Sequence, residues 1–213
     1  MVNVLIVAKT HMNGGVCVGG LRLDTNRNIR LKPPGRANHT EDTAFEVGQI
    51  WELNFYEGAK TKPPHIEDVI VTDQRLVEHV DNLREFLLHR VHPWQGGPEQ
   101  LFDRCLCLKG TGGYISATGS IPQCSTGFWL PDRTLNLNKP LVPDTQNDKH
   151  YYEMLRIGDN RRPTILSIKY VGFTAPISQI LAGTLVRVSL ARWWKPTETS
   201  EERCYLQLSG WYL

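Results

Sequence analysis

The chain has 213 residues and 24.2 kDa, enough for one large domain or two small ones, and at 40% hydrophobic and 22% charged residues it is ordinary globular material able to bury a real core. A formal net charge of only +2 neither demands nor excludes a nucleic-acid partner. The 5 cysteines (Cys17, Cys105, Cys107, Cys124 and Cys204) include no C-x-x-C pair, which excludes a zinc knuckle or redox motif of that spacing and predicts free thiols in a reducing cytoplasm.

In chain order, MVNVLIVAKT lacks a basic flank and is too short for a signal or membrane segment, so it predicts a first buried strand. Val16 to Asp24 reads as a strand, Thr25 to Asn28 as a turn, and Ile29 to Lys32 as the return strand, stopped by Pro33 and Pro34. Gly14, Gly15, Gly19 and Gly20 would allow the bulges and coiling that a small barrel needs. After a polar loop from Arg36 to Glu46, Gly48 to Phe55 alternates as a strand, and Pro63 to Val71 reads as an edge-entering one.

The period then changes. Leu76, Val80, Leu83, Leu87 and Val91 fall at helical spacing, with Asp73 as cap and Pro93 as stop, which predicts an amphipathic helix connecting two halves. Beyond it, Leu101 to Leu108 fits either a helix end or a strand, Gly110 to Gly119 a glycine-rich turn, and Leu135 to Leu137 a short alternating run. A second helix is predicted over His150 to Ile157, with Asp148 as cap and Gly158 closing it. Thr164 to Phe173 reads as a strand and Pro176 to Leu181 as a helical turn. The last stretch, GTLVRVSLARWWKP followed by a polar spacer and ERCYLQLSGWYL, alternates twice and predicts an antiparallel hairpin. The fold class is therefore mainly β (β-rich α+β), two barrel-like units joined by the helix, because strands do not alternate with long helices.

Charge is unevenly placed: residues 1–100 carry 11 Lys/Arg against 13 Asp/Glu, and residues 101–213 carry 13 against 9. From His150 to Pro196, Arg156, Arg161, Arg162, Lys169, Arg187, Arg192 and Lys195 face only Glu153 and Asp159, a local positive field hidden by the average. Beside these cations lie Trp193, Trp194, Trp211 and Tyr212. Cations interleaved with flat rings suit single-stranded nucleic acid, since guanidinium and ammonium groups neutralise phosphates while rings stack on bases. A single tryptophan is more often core than contact, so the cluster carries the reading. Arg161 and Arg162 precede a strand, where their forks could hold phosphates in pairs. The candidate contacts are Arg161, Arg162, Lys169, Arg187, Arg192, Trp193, Trp194 and Lys195.

Catalysis finds little support. Lys9, Thr10 and His11 with Gly14 and Gly15 form a secondary ligand-binding candidate, but no partner spacing matches a triad. Gly110 to Gly119 lacks the Lys-Ser/Thr ending of a phosphate loop, and His65 beside Glu67 and Asp68 is a weak metal set. No catalytic residue, metal or cofactor is assigned, and an enzyme is disfavoured.

Through KTHMNGGVCVGGLRL, IWELNF with PPHIEDVIV, and SLARWW with CYLQLSGWYL, the chain resembles the dual OB-fold family of bacterial proteins. That resemblance implies two OB-like barrels, residues 1–92 with the connecting helix and residues 93–213 with short helices, and a setting in bacterial antiviral defence. OB barrels commonly bind oligonucleotides. The expected function is a non-catalytic accessory subunit that binds nucleic acid, single-stranded DNA or RNA, in the cytoplasm and off the membrane. The alternative is a protein-interaction subunit in which Trp193, Trp194, Trp211 and Tyr212 form the hot spot; a nucleotide sensor or enzyme around His11 ranks third.

Overall fold

The computed structural model describes residues 1–35, 38–58, 62–138, 149–158, 162–195 and 197–213. They divide into two compact units, Met1–His92 and Pro93–Leu213.

In the first unit, β1 (Val2–Met12), β2 (Gly15–Arg22), β3 (Asn28–Lys32), β4 (Gln49–Glu57) and β5 (Asp68–His79) close into a barrel in the order β1-β2-β3-β5-β4. β3 and β5 run parallel and the other pairs antiparallel, so a chain crossing links neighbours that a simple meander would not. Closure needs curvature, and it comes from irregularities between Ile6 and Ala8 in β1 and at two points along β4. Val4, Ile6, Val16, Val18, Ile29, Leu31 and Leu53 alternate inward and fill the barrel.

The second unit is built on one larger sheet. Its strands are β6 (Trp94–Gly96), β7 (Cys107–Lys109), β8 (Gly112–Ser116), β9 (Thr126–Pro131), β10 (Leu135–Asn138), β11 (Tyr151–Ile157), β12 (Pro163–Tyr170), β13 (Gln179–Ile180), β14 (Leu185–Leu190) and β15 (Arg203–Tyr212). The order is β13-β10-β11-β12-β15-β14-β9-β6, with β8 also pairing β15 and β7 pairing β8. The antiparallel hairpin read from the C-terminal sequence is β14–β15, and it lies at the middle of this sheet. β15 pairs β8 over Arg203–Tyr205, β12 at Gln207–Leu208 and β14 along its length, so one long strand joins three neighbours, with β7 beyond β8. A separate core of Trp129, Tyr152, Met154, Leu166, Ile168, Val188, Leu206 and Leu208 packs beneath it.

The molecule is mainly β, as the alternation predicts, but its predicted helices change. Asp73 and Leu76, assigned to the connecting helix, belong to β5, whose backbone pairs β4 from Gln49↔His79 to Glu57↔Val69. The helix α1 is only Leu83–Leu88, capped by Asn82, whose Oδ1 accepts the Glu85 N–H at 3.1 Å. The apolar spacing misled because Leu76 is 49% exposed and only Leu87 of the helix is buried; a pairing partner outweighs local periodicity. The second predicted helix, His150 to Ile157, is instead β11. There Tyr152, Met154 and Arg156 are buried in strict alternation with half-buried or exposed neighbours, and its proposed cap Asp148 lies outside the described residues. The predicted turn at Pro176 to Leu181 contains the two-residue strand β13, paired with β10. A short irregular helical segment at Pro98–Arg104 joins β6 to β7, with Phe102, Asp103 and Arg104 at positive φ.

Candidate nucleic-acid interface

Along β15, Cys204, Leu206 and Leu208 are buried while Arg203, Tyr205 and Gln207 stay half-exposed, so the strand offers one face to the core and one outward. The chain leaving β14 keeps pairing with it: the Ala191 N–H donates to the Tyr205 carbonyl at 2.8 Å, and Trp194 and Arg203 exchange backbone bonds of 3.0 and 2.9 Å. That bridge pins Trp194 beside the outward face, where its indole is 55% exposed. Its ring centroid is 6.0 Å from that of Tyr205, which lies 5.9 Å from Tyr114 on β8. The Arg203 guanidinium sits 4.2 Å over the Tyr114 ring. The result is a cluster of mutually tilted rings, at 58° and 50°, in which Trp194 is open, Tyr205 half-exposed and Tyr114 buried beneath the Arg203 guanidinium.

Arg203 is held from its other side by Glu201, 3.4 Å away. Hydrogen bonds from Ser116, then Thr118, keep the Glu201 carboxyl below its usual range, so it is a firm acceptor that orients the guanidinium. Further along the face, Gln207 pairs Lys169 of β12, and Lys169 pairs Tyr151 of β11. Strand alternation places these side chains outward with Tyr205, extending the row of rings and cations across three strands.

The predicted contacts separate. Trp194 and Lys195 are exposed, and Arg192 and Lys169 half-exposed. Arg187 is buried, 5% exposed, with its guanidinium 5.9 Å over Phe128 and next to Tyr212, whose hydroxyl is pushed up by burial and drawn partly back by that positive charge. Trp193 packs against the core. Trp211 does so too, with ring centroids 5.1 Å from Tyr170 and 5.9 Å from Tyr152. Arg162 is exposed but enters β12 at the end opposite Lys169, about 23 Å away along an extended strand; Arg161 lies outside the described residues. The structure adds Arg203, Tyr205 and Tyr151, with the buried Tyr114 ring supporting Arg203 from below. The signal was present for Tyr205, which occupies the polar register of the same alternating run as Gln207.

In the first unit, Lys9, Thr10 and His11 are part of β1 itself and not of a loop after it. The Lys9 Nζ is buried and lies 2.6 Å from the Glu46 carboxylate, so its charge is already engaged. Gly14 and Gly15 form the β1–β2 turn at φ of 79° and 141°. His65 is buried near Glu67 and Asp68, but the Asp68 carboxylate takes Arg30 at 2.5 Å and Lys32 at 3.4 Å. Among the described residues no three His, Cys, Asp or Glu side chains gather as a metal ligand set, and no helix is long and apolar enough to cross a membrane.

No curated protein matches the sequence. A family described as the dual OB-containing domain matches residues 2–211, nearly the whole chain, and the five-stranded closed barrel of the first unit is the architecture of that fold. OB folds commonly bind oligonucleotides, a coarse likeness to which an outward sheet face of rings and cations is suited. By that match and that barrel, the chain belongs to the dual OB-containing domain family.

Proposed function

We propose that this chain is a non-catalytic nucleic-acid-binding protein, an accessory subunit that holds a single strand of DNA or RNA against the outward face of the second unit. The observation that carries the reading is Trp194, 55% exposed and backbone-paired to Arg203 beside the Tyr205 ring. Bases stack on the rings while Lys169, Arg192 and Lys195 neutralise phosphates; Arg162 and, by sequence, Arg161 are candidates for a second phosphate contact. Resemblance to bacterial dual OB proteins supports a place in cytoplasmic defence assemblies.

Fluorescence anisotropy with labelled single-stranded DNA, RNA and duplex at low salt tests the reading. Trp194→Ala and Tyr205→Ala each weaken single-strand binding by about 1–3 kcal/mol, roughly 5- to 150-fold. Lys169→Ala lowers the slope of log K against log salt by about 0.7. Absence of binding to any of the three probes at low salt ends the proposal.

A partner-protein reading draws on a different observation. Leu155 and Ile157 of β11 and Ile165 of β12 are exposed, with Leu155 and Ile165 directly paired. Assembly through that ladder would persist at high salt, where strand binding is lost.

A further inference from the structure

We infer that the second unit carries a phosphate-binding pocket for a nucleotide, centred on Arg156 and separate from the aromatic face. β11 turns Arg156 inward with Tyr152 and Met154, where a strand of this register would ordinarily place an apolar residue. Arg156 is 7% exposed. Its Nη2 donates to the Gly110 carbonyl at 3.1 Å, and its Nε has no hydrogen-bond partner. Among the described residues no carboxylate lies within ion-pair distance of it. A guanidinium is a permanent cation and burying one without a counter-charge is costly, so a bound anion would stabilise Arg156 here.

Arg156 lines a cavity of about 420 Å³, within the size range of small-molecule sites. A second guanidinium, Arg133, stands in the same lining; its Nη1 donates to the Leu155 carbonyl at 2.8 Å, and its Nε is only loosely paired with Asp132 at 3.9 Å. Two forks that keep free N–H groups match a phosphate, whose charge of about −1.5 to −2 as a monoester needs both, better than a carboxylate, which needs one. The remaining walls divide by chemistry. Leu106, Leu108, Pro98 and Ile157 offer an apolar surface, and Glu99 offers an acceptor. A flat heterocycle with ring N–H or hydroxyl donors fits that second half, which makes the ligand a nucleotide, either free or at the phosphorylated end of a strand. The pocket lies on residues other than those of the proposed stacking face, so either reading can stand without the other.

The test measures binding and thermal unfolding of the full chain with AMP, with adenosine, and with one short oligonucleotide carrying a 5′-phosphate or a 5′-hydroxyl. AMP is expected to bind and to raise Tm while adenosine does neither. Arg156→Met keeps the length of the side chain and removes the charge. It should weaken AMP binding by roughly 10- to 100-fold yet leave the ligand-free Tm unchanged or higher, as no simple structural residue would. Arg133→Met removes the second, more exposed guanidinium and should weaken AMP binding several-fold, a readout that stands even if Arg156→Met fails to fold. A preference for the 5′-phosphorylated strand assigns the pocket to strand ends, and binding of AMP alone assigns it to free nucleotides; either supports the inference. Equal responses to AMP and adenosine, or AMP binding untouched by both substitutions, overturn it. Strand binding that depends on Trp194 but ignores Arg156 would leave the stacking face standing when the pocket falls.

Discussion

Adjacent residues in an extended chain point to opposite sides, and this rule decides the two aromatic pairs of the second unit. Trp193 packs on the core while Trp194 lies open; Trp211 stacks on tyrosines and Tyr212 is buried. The sequence offered Trp193 and Trp194 alike as contacts, although adjacent rings on an extended chain cannot share a face. It could not say which ring wins, because that depends on the β15 register that places Trp194 opposite Arg203. Arg187 went inside for the same reason: its register faces Phe128 and Tyr212. Gly15 shows the tightest single-residue constraint. At φ 141°, with the His39 carbonyl oxygen occupying the space a Cβ would need, it admits no side chain without moving the β2 bridge to His39. Gly15→Ala is therefore expected to destabilise the first unit by about 2 kcal/mol or more, read as a lower denaturation midpoint by circular dichroism. An unchanged midpoint would show that the turn yields freely.

At the scale of elements, strand alternation was legible and helical spacing was not. The runs that became β2, β3, β4, β12, β14 and β15 each announce a strand by alternation, whereas β9, buried along almost its whole length, does not. β5 and β11 instead mimic helices, since their far ends or flanks mix exposed apolar and charged residues, and only the neighbouring strands give them their state. Three tyrosines on strands of the second unit carry a shared consequence. Burial raises the hydroxyls of Tyr152, Tyr170 and Tyr212, Tyr170 to about 12. A raised acid favours its protonated form in the folded state, so this contribution is complete below about pH 10, the ordinary tyrosine value, and is lost as pH climbs from there through about 12. In an alkaline titration followed by absorbance, Tyr152, Tyr170 and Tyr212 should ionise only together with loss of β-sheet signal. Smooth ionisation of every tyrosine while the fold persists would refute that assignment.

For the whole molecule, the described contacts divide at His92, and each side has its own apolar core. Each unit is expected to fold alone. Fragments 1–92 and 93–213, expressed separately, should each unfold cooperatively with native-like β-sheet spectra, and a disordered first fragment would argue that its barrel depends on the rest of the chain. Binding should then follow the second fragment, because the rings and cations of the proposed face all belong to it.

Sequence by itself determined the mainly β class, the C-terminal hairpin and the concentration of charge and rings near it. All of these rest on local period, turn residues and composition, which neighbours in the chain suffice to set. Tertiary structure alone decided which strands pair across long separations, which rings reach solvent, and that Arg156 is buried with, among the described residues, no carboxylate paired to it. Those outcomes depend on register between segments far apart in the chain, and a slip of one residue would have exchanged every inward side chain for an outward one.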